Sequence, residues 1–168
     1  TRSGIKLRRS AASVNYETAI ENLVNKLDDH KGVLLASSFE YPGRYTRWDV
    51  GFVNPPLQLV AKDKQLNIFA LNPRGEILLP EVFRALQGHA DIESLSDSQR
   101  AIEIVVKQGD ENFNEEMRSR RPSVFTVLRS LVDAFYAGEE QYLGFYGAFG
   151  YDLTFQFEDV ERFQHREE

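Results

Sequence analysis

The residues best suited to chemistry are Ser37, Arg44, Arg47 and Asp49, which flank a Tyr41-Pro42-Gly43 turn. A strand leaving the core, a Pro-Gly turn and a returning strand would bring the Ser37 hydroxyl near the Arg47 guanidinium. A guanidinium grips a carboxylate in fork geometry. A serine hydroxyl and free strand-end amides add donors, and Leu34, Leu35 and Phe39 could wall an apolar side chain. The chemistry is recognition of a carboxylate-bearing ligand. The same residues also fit a plain surface hairpin in which Arg44, Arg47 and Asp49 pair with one another.

Other constellations point away from catalysis. The segment Gly144-Phe145-Tyr146-Gly147-Ala148-Phe149-Gly150-Tyr151-Asp152 has glycines but neither the P-loop pattern nor the dinucleotide fingerprint. It reads as close packing, with glycines letting rings from adjacent strands approach. Asp28-Asp29-His30 are metal-ligand types, but three consecutive residues at a helix end do not converge, and solvation explains them. His89 beside Asp91 and Glu93 reads as loop surface, His165 lies in a polar tail, and no nucleophile has an evident base. The chain has no cysteine, which excludes a disulfide framework, a thiolate metal site and a cysteine nucleophile here. A net charge of −6, with acidic runs at 110–116 and 158–161, disfavours nucleic acid and anionic membranes. No apolar run approaches the roughly 18 residues of a membrane helix, and the start lacks a signal core, so the expectation is a cytoplasmic protein.

These residues need elements to position them. With 168 residues the chain fits one domain, able to bury roughly 70% of its unfolded surface. Ile5 and Leu7 suggest a short strand. Tyr16, Ala19, Ile20, Leu23, Val24 and Leu27 share a helical face, with Asn15 as N-cap and Lys31-Gly32 as stop. Val33 to Ser37 is expected to be a buried strand. Further strands are expected at Val50 to Val53, Leu57 to Ala61, Gln65 to Leu71, Glu76 to Leu79 and Ile102 to Val106, the earlier ones as an antiparallel meander. Pro80 would open a short helix through Val82, Phe83 and Leu86, ended by Gly88. Gln108 to Arg121 reads as a mobile loop. Val124, Val127, Leu128, Leu131, Val132 and Phe135 make the strongest amphipathic helix, closed by Gly138. Leu143 to Phe157 is expected as a strand and tight turn. The predicted class is α+β, a mainly antiparallel β-sheet with helices packed on one face.

Leu34-Leu35-Ala36-Ser37, Tyr41 to Asp49 and Tyr146 to Asp152 together resemble anthranilate synthase component I, most closely forms fused to a glutamine amidotransferase. The resemblance extends over nearly the whole chain and implies an amino-terminal regulatory and scaffolding domain at 1–168, excised from something longer. It implies a parent that turns chorismate and glutamine-derived ammonia into anthranilate and pyruvate, in the first committed step of tryptophan synthesis. The chorismate site and its Mg²⁺ would lie on a catalytic domain absent here, so no catalytic residue is assigned and this piece alone is expected to be inactive. In the family the Leu-Leu-x-Ser motif walls the feedback site for L-tryptophan. Carried over, the effector contacts are Leu35 and Ser37, with Arg47 as carboxylate partner and Ser38, Arg44 and Thr46 as neighbours. Many members have Glu where Ala36 stands, which leaves Glu40, Asp49 or a group on the catalytic part to receive the effector's ammonium. The expected partners are the catalytic domain and a glutamine amidotransferase domain or subunit; the aromatic Tyr146 to Asp152 segment would sit where the catalytic part meets this one. A sibling chorismate enzyme, for aminodeoxychorismate or phenazine synthesis, or a stand-alone amino-acid-binding module fits the same residues.

Overall fold

A computed structural model describes residues 1–37, 41, 43–44, 48–109, 121–138, 140 and 142–157. The element order is α1 (Tyr16–Leu27), β1 (Gly32–Ala36), β2 (Asp49–Val53), β3 (Leu57–Lys62), β4 (Gln65–Ala70), α2 (Pro73–Leu86), β5 (Ile92–Asp97), β6 (Ala101–Val106) and α3 (Val124–Phe135), followed by a 3-10 helix, Tyr151–Gln156. All strand pairings are antiparallel, and the class is α+β as expected. Among the described residues no helix is long and apolar enough to cross a membrane.

The core lies in a helix–sheet unit. Its four strands run in the order β3-β4-β6-β5. Alternation turns Leu66, Ile68 and Ala70 of β4 and Ile102, Ile104 and Val106 of β6 to one face, where they join Leu79, Val82 and Leu86 of α2 and Val124, Val127 and Leu131 of α3. Ile68, Leu86, Ile102 and Val127 are fully excluded from solvent. The second unit is smaller: α1 lies on one face of the β1–β2 hairpin, in the register Gly32↔Val53 through Ala36↔Asp49. Asn15 caps α1 by accepting from the Thr18 N–H at 3.1 Å, as its side chain predicts.

Several expectations fail for identifiable reasons. Glu76 to Leu79 is not a strand, and Pro80 does not open a helix. Asn72 accepts from the Arg74 and Gly75 amides, Pro73 takes the first turn, and one helix runs through Pro80 to Leu86. Its buried residues Gly75, Leu79, Val82 and Leu86 keep helical spacing across Pro80. The expected meander is broken because β2 pairs with β1 in a separate sheet, 76–79 is helical, and β4 takes β6 as its second neighbour. β5 itself is absent from the sequence reading: it is a half-polar edge strand, and a bulge between Ile92 and Ser94 puts Ile92 and Leu95 out of strict alternation.

Ile5 and Leu7 form no strand; instead the Arg2 and Ser3 amides donate to Tyr136 O and Ala134 O, satisfying carbonyls at the end of α3. α1 stops at Leu27, short of Lys31-Gly32. Val132 is more than half exposed, off the buried stripe of α3. The stretch from Leu143 has no strand and ends in the 3-10 helix. A Cβ on Gly147 or Gly150 would meet open space and one on Gly144 only ordinary contact, so close packing does not account for these glycines. Most of the expected mobile loop, residues 110–120, lies outside the described residues.

Candidate functional site

The hairpin places the candidate residues on its two faces. A Cβ on Gly51 would strike a Leu23 methyl and one on Gly32 a Leu27 methyl, so Gly32, Leu34 and Ala36 with Val53, Gly51 and Asp49 face α1. Val33 and Leu35 therefore turn the other way, opposite Phe52 and Val50, and the next pair outward is Ser37 with Trp48. Leu35 and Ser37 thus share a face with Trp48, Val50 and Phe52, and Leu35 and Trp48 are 38% and 56% exposed. Val33 to Ser37 was expected to be buried. It is not, because α1 covers only one side of this two-stranded sheet.

At the open end, the Ser37 N–H donates to Trp48 O at 3.0 Å and to Asp49 Oδ1 at 3.1 Å. The Tyr16 hydroxyl donates to Asp49 Oδ2. The carboxylate is held from both sides, facing α1 directly across from Ala36. Sequence reading took Tyr16 only as part of an apolar helical face; its polar tip was the available signal. Arg44 is exposed and closes the expected turn, its N–H donating to Tyr41 O at 2.9 Å with Gly43 at φ +77. Ser38, Thr46 and Arg47 lie outside the described residues, as do Phe39 and Glu40. The structure therefore brings Leu35 and Ser37 together and sets Arg44 at the turn.

The aromatic segment joins this site to the larger unit. Tyr146 meets Phe52 edge-on at 5.5 Å between ring centroids, Phe145 meets Phe135 at 6.3 Å, and Phe149 meets Phe125 at 5.3 Å. Tyr146 thus covers the Phe52 end of the hairpin face and leaves the Leu35–Trp48 end open. Tyr142, Phe149 and Tyr151 are strongly exposed, Tyr151 at 90%.

No protein-family model matches the chain. Over 162 residues, 96% of its length, it is 41% identical to the anthranilate synthase of Azospirillum brasilense, of which it spans 22%. The chain is homologous to part of anthranilate synthase. Because the match covers nearly all of the chain, the hairpin unit and the helix–sheet unit both share in the anthranilate synthase likeness.

Two further clusters among the described residues are not nucleophilic centres. His89 is half-buried, not loop surface: its Nδ1 accepts the Asp91 N–H at 3.1 Å and its Nε2 lies 2.8 Å from Ser130 Oγ. An accepting Nδ1 leaves the ring proton on Nε2, which donates to Ser130, whose hydroxyl donates to Thr126 O at 3.2 Å. Among the described residues the serine has no base. An open cleft of about 660 Å³ beside them carries Arg2 and Arg129 but also Asp91 and Asp133, with Arg2 paired to Asp133. A cavity of about 240 Å³ is lined by Lys64, Gln108, Gly109 and Arg121. Burial, and then the nearby Arg121 guanidinium, hold the Lys64 ammonium below the usual lysine range, while its Nζ donates to Pro122 O at 2.7 Å.

Proposed function

We propose that this chain is the amino-terminal regulatory region of an anthranilate synthase and that its hairpin carries anchoring contacts for L-tryptophan. One observation carries the reading. Leu35 and Ser37, named from sequence as effector contacts, fall on the hairpin face opposite α1, beside exposed Trp48 and at the mouth of the strand pair. An indole would lie on the Leu35–Val50–Trp48 surface, and the Ser37 hydroxyl with Arg47 would take the carboxylate. Asp49 is fixed by Tyr16 on the α1 side of the hairpin, so Glu40 or a group on the catalytic part would receive the ammonium.

The parent would convert chorismate and glutamine-derived ammonia into anthranilate and pyruvate, with its catalytic residues on the polypeptide that the relative carries beyond this region. Among the described residues no three acids, histidines or cysteines gather as a metal site. The Mg²⁺ implied for the parent would be held by residues of that remainder. The exposed rings from Tyr142 to Tyr151 suit a contact with the catalytic part, and ammonia would come from an amidotransferase domain or subunit.

Inhibition requires that tryptophan bind one arrangement of the parent better than the other. A charge-assisted bond from Arg47 is worth about 1.5–3 kcal/mol, so Arg47→Ala in the full-length parent should raise the half-inhibitory tryptophan concentration roughly 10- to 100-fold. Ser37→Ala should cost nearer ~1 kcal/mol, a shift of several-fold. A folded Arg47→Ala parent with undiminished tryptophan sensitivity would sink the assignment.

A further inference from the structure

Asn72 makes two sets of contacts with one side chain. Its Oδ1 accepts from the Arg74 and Gly75 amides at 3.1 and 3.2 Å and caps α2. Its Nδ2 donates to Pro55 O at 3.0 Å and, more loosely, to Asn54 O at 3.4 Å. The Arg74 guanidinium donates to the same Asn54 carbonyl at 2.6 Å. These carbonyls belong to the linker leaving β2. Asn54 itself sits in the left-handed region at φ +54, and its N–H donates to Lys31 O at 2.8 Å, just ahead of β1. The linker is therefore gripped by the base of the hairpin on one side and by the first turn of α2 on the other. The fit is close: a Cβ on Gly75 would lie 2.1 Å from Pro56 O. The Tyr146–Phe52 ring pair also ties the hairpin to the larger unit, but through half-exposed rings and without a directed hydrogen bond.

We propose that Asn72 couples the hairpin to the helix–sheet unit, so that an effector seated on the hairpin is felt at α2 through the Asn54–Pro56 linker. This rests on the effector reading above. Coupling needs an element whose arrangement both sites bias. A linker held by directed bonds at both ends makes the tilt of the hairpin and the position of the first turn of α2 a single variable.

Capping and coupling can be separated by substitution. Asn72→Asp keeps the capping acceptor and suits the helix N-terminus, but it replaces the amide donor with an oxygen facing two carbonyls. Asn72→Ser keeps a cap and loses the reach to the linker without adding that repulsion. Both variants are tested in the full-length parent, with L-tryptophan binding read by calorimetry and chorismate-dependent anthranilate formation read with and without saturating tryptophan. The expected result is tryptophan affinity and uninhibited kcat/KM within about threefold of the parent, while the factor by which tryptophan weakens chorismate use falls about tenfold.

A parental coupling factor in the variants overturns the proposal. So does a parallel loss of binding and inhibition, which would make Asn72 a shaper of the binding face. If Asn72→Asp fails to fold, Asn72→Ser alone decides between these outcomes. A wild-type parent that tryptophan does not inhibit overturns the effector reading and this coupling with it, whereas an inhibited parent with unaltered variants overturns the coupling alone.

Discussion

β1 and β6 carry comparable apolar residues, Gly32-Val33-Leu34-Leu35-Ala36 against Ala101-Ile102-Glu103-Ile104-Val105-Val106, yet they sit in opposite surroundings. β6 lies between β4 and β5 beneath α2 and α3, and its Ile102, Ile104 and Val106 are fully buried. β1 has one neighbouring strand and one covering helix, and neither it nor β2 nor α1 holds a fully buried residue. Burial is thus a property of the neighbours more than of the strand. The buried core lies in the helix–sheet unit and the open surface in the hairpin unit, a division that suits the proposed binding face, since binding elements are commonly drawn from the less stable end of a fold.

That contrast can be broken by substitution. Ile68→Ala or Ile104→Ala should destabilise by about 2–5 kcal/mol, through lost burial and the cavity left behind. Leu35→Ala, at a side chain already 38% exposed, should cost about 1 kcal/mol or less. Denaturant midpoints for the pair would refute the division if Leu35→Ala matched the core variants.

A smaller difference is expected between two glycines. Gly75→Ala sets a methyl against Pro56 O and the backbone of Ala70, which cannot yield cheaply, and should cost about 1–3 kcal/mol. In Gly51→Ala the tightest contact is the end of the Leu23 side chain, which can rotate away, so the cost should be about 1 kcal/mol or less. Thermal unfolding of the two variants sharpens the picture of a tightly seated linker beside a loosely packed hairpin.

The smallest effect belongs to Lys64. Burial and Arg121 lower its pKa in the folded state, so the unfolded chain holds that proton to higher pH. Stability should therefore rise as pH climbs from the lowered folded value toward the ordinary lysine value of 10.5. Lys64→Met should flatten that rise, as urea midpoints across the alkaline range would record. An unchanged slope would show that the ammonium is as well solvated in the fold as in the unfolded chain.

Local signals made α1, α3 and five of the six strands legible from sequence. The Asn15 cap, the 124–127–131 apolar spacing of α3 and the alternation of Ile102, Ile104 and Val106 are all short-range patterns. The region from Asn72 to Leu86 misled because Pro80 suggests a break, whereas the Asn72-Pro73 start and the burial of Leu79 and Val82 keep one helix intact. β5 was lost because an edge strand need be apolar on one side only and its bulge shifts the phase.

For the candidate site, the sequence by itself determined which residue types stand around the Pro-Gly turn, that β1 and β2 form a hairpin, and the likeness to anthranilate synthase from which the proposal for Leu35 and Ser37 starts. Only the tertiary structure decided that these two share an open face with Trp48, that Asp49 and Ala36 turn instead toward Tyr16 of α1, and that Asn72 grips the linker behind them. The physical reason is the range of the interactions. Caps, turns and alternation act across a few residues, whereas a face is exposed or covered, and an amide finds its second partner, only once segments far apart in the chain have packed together.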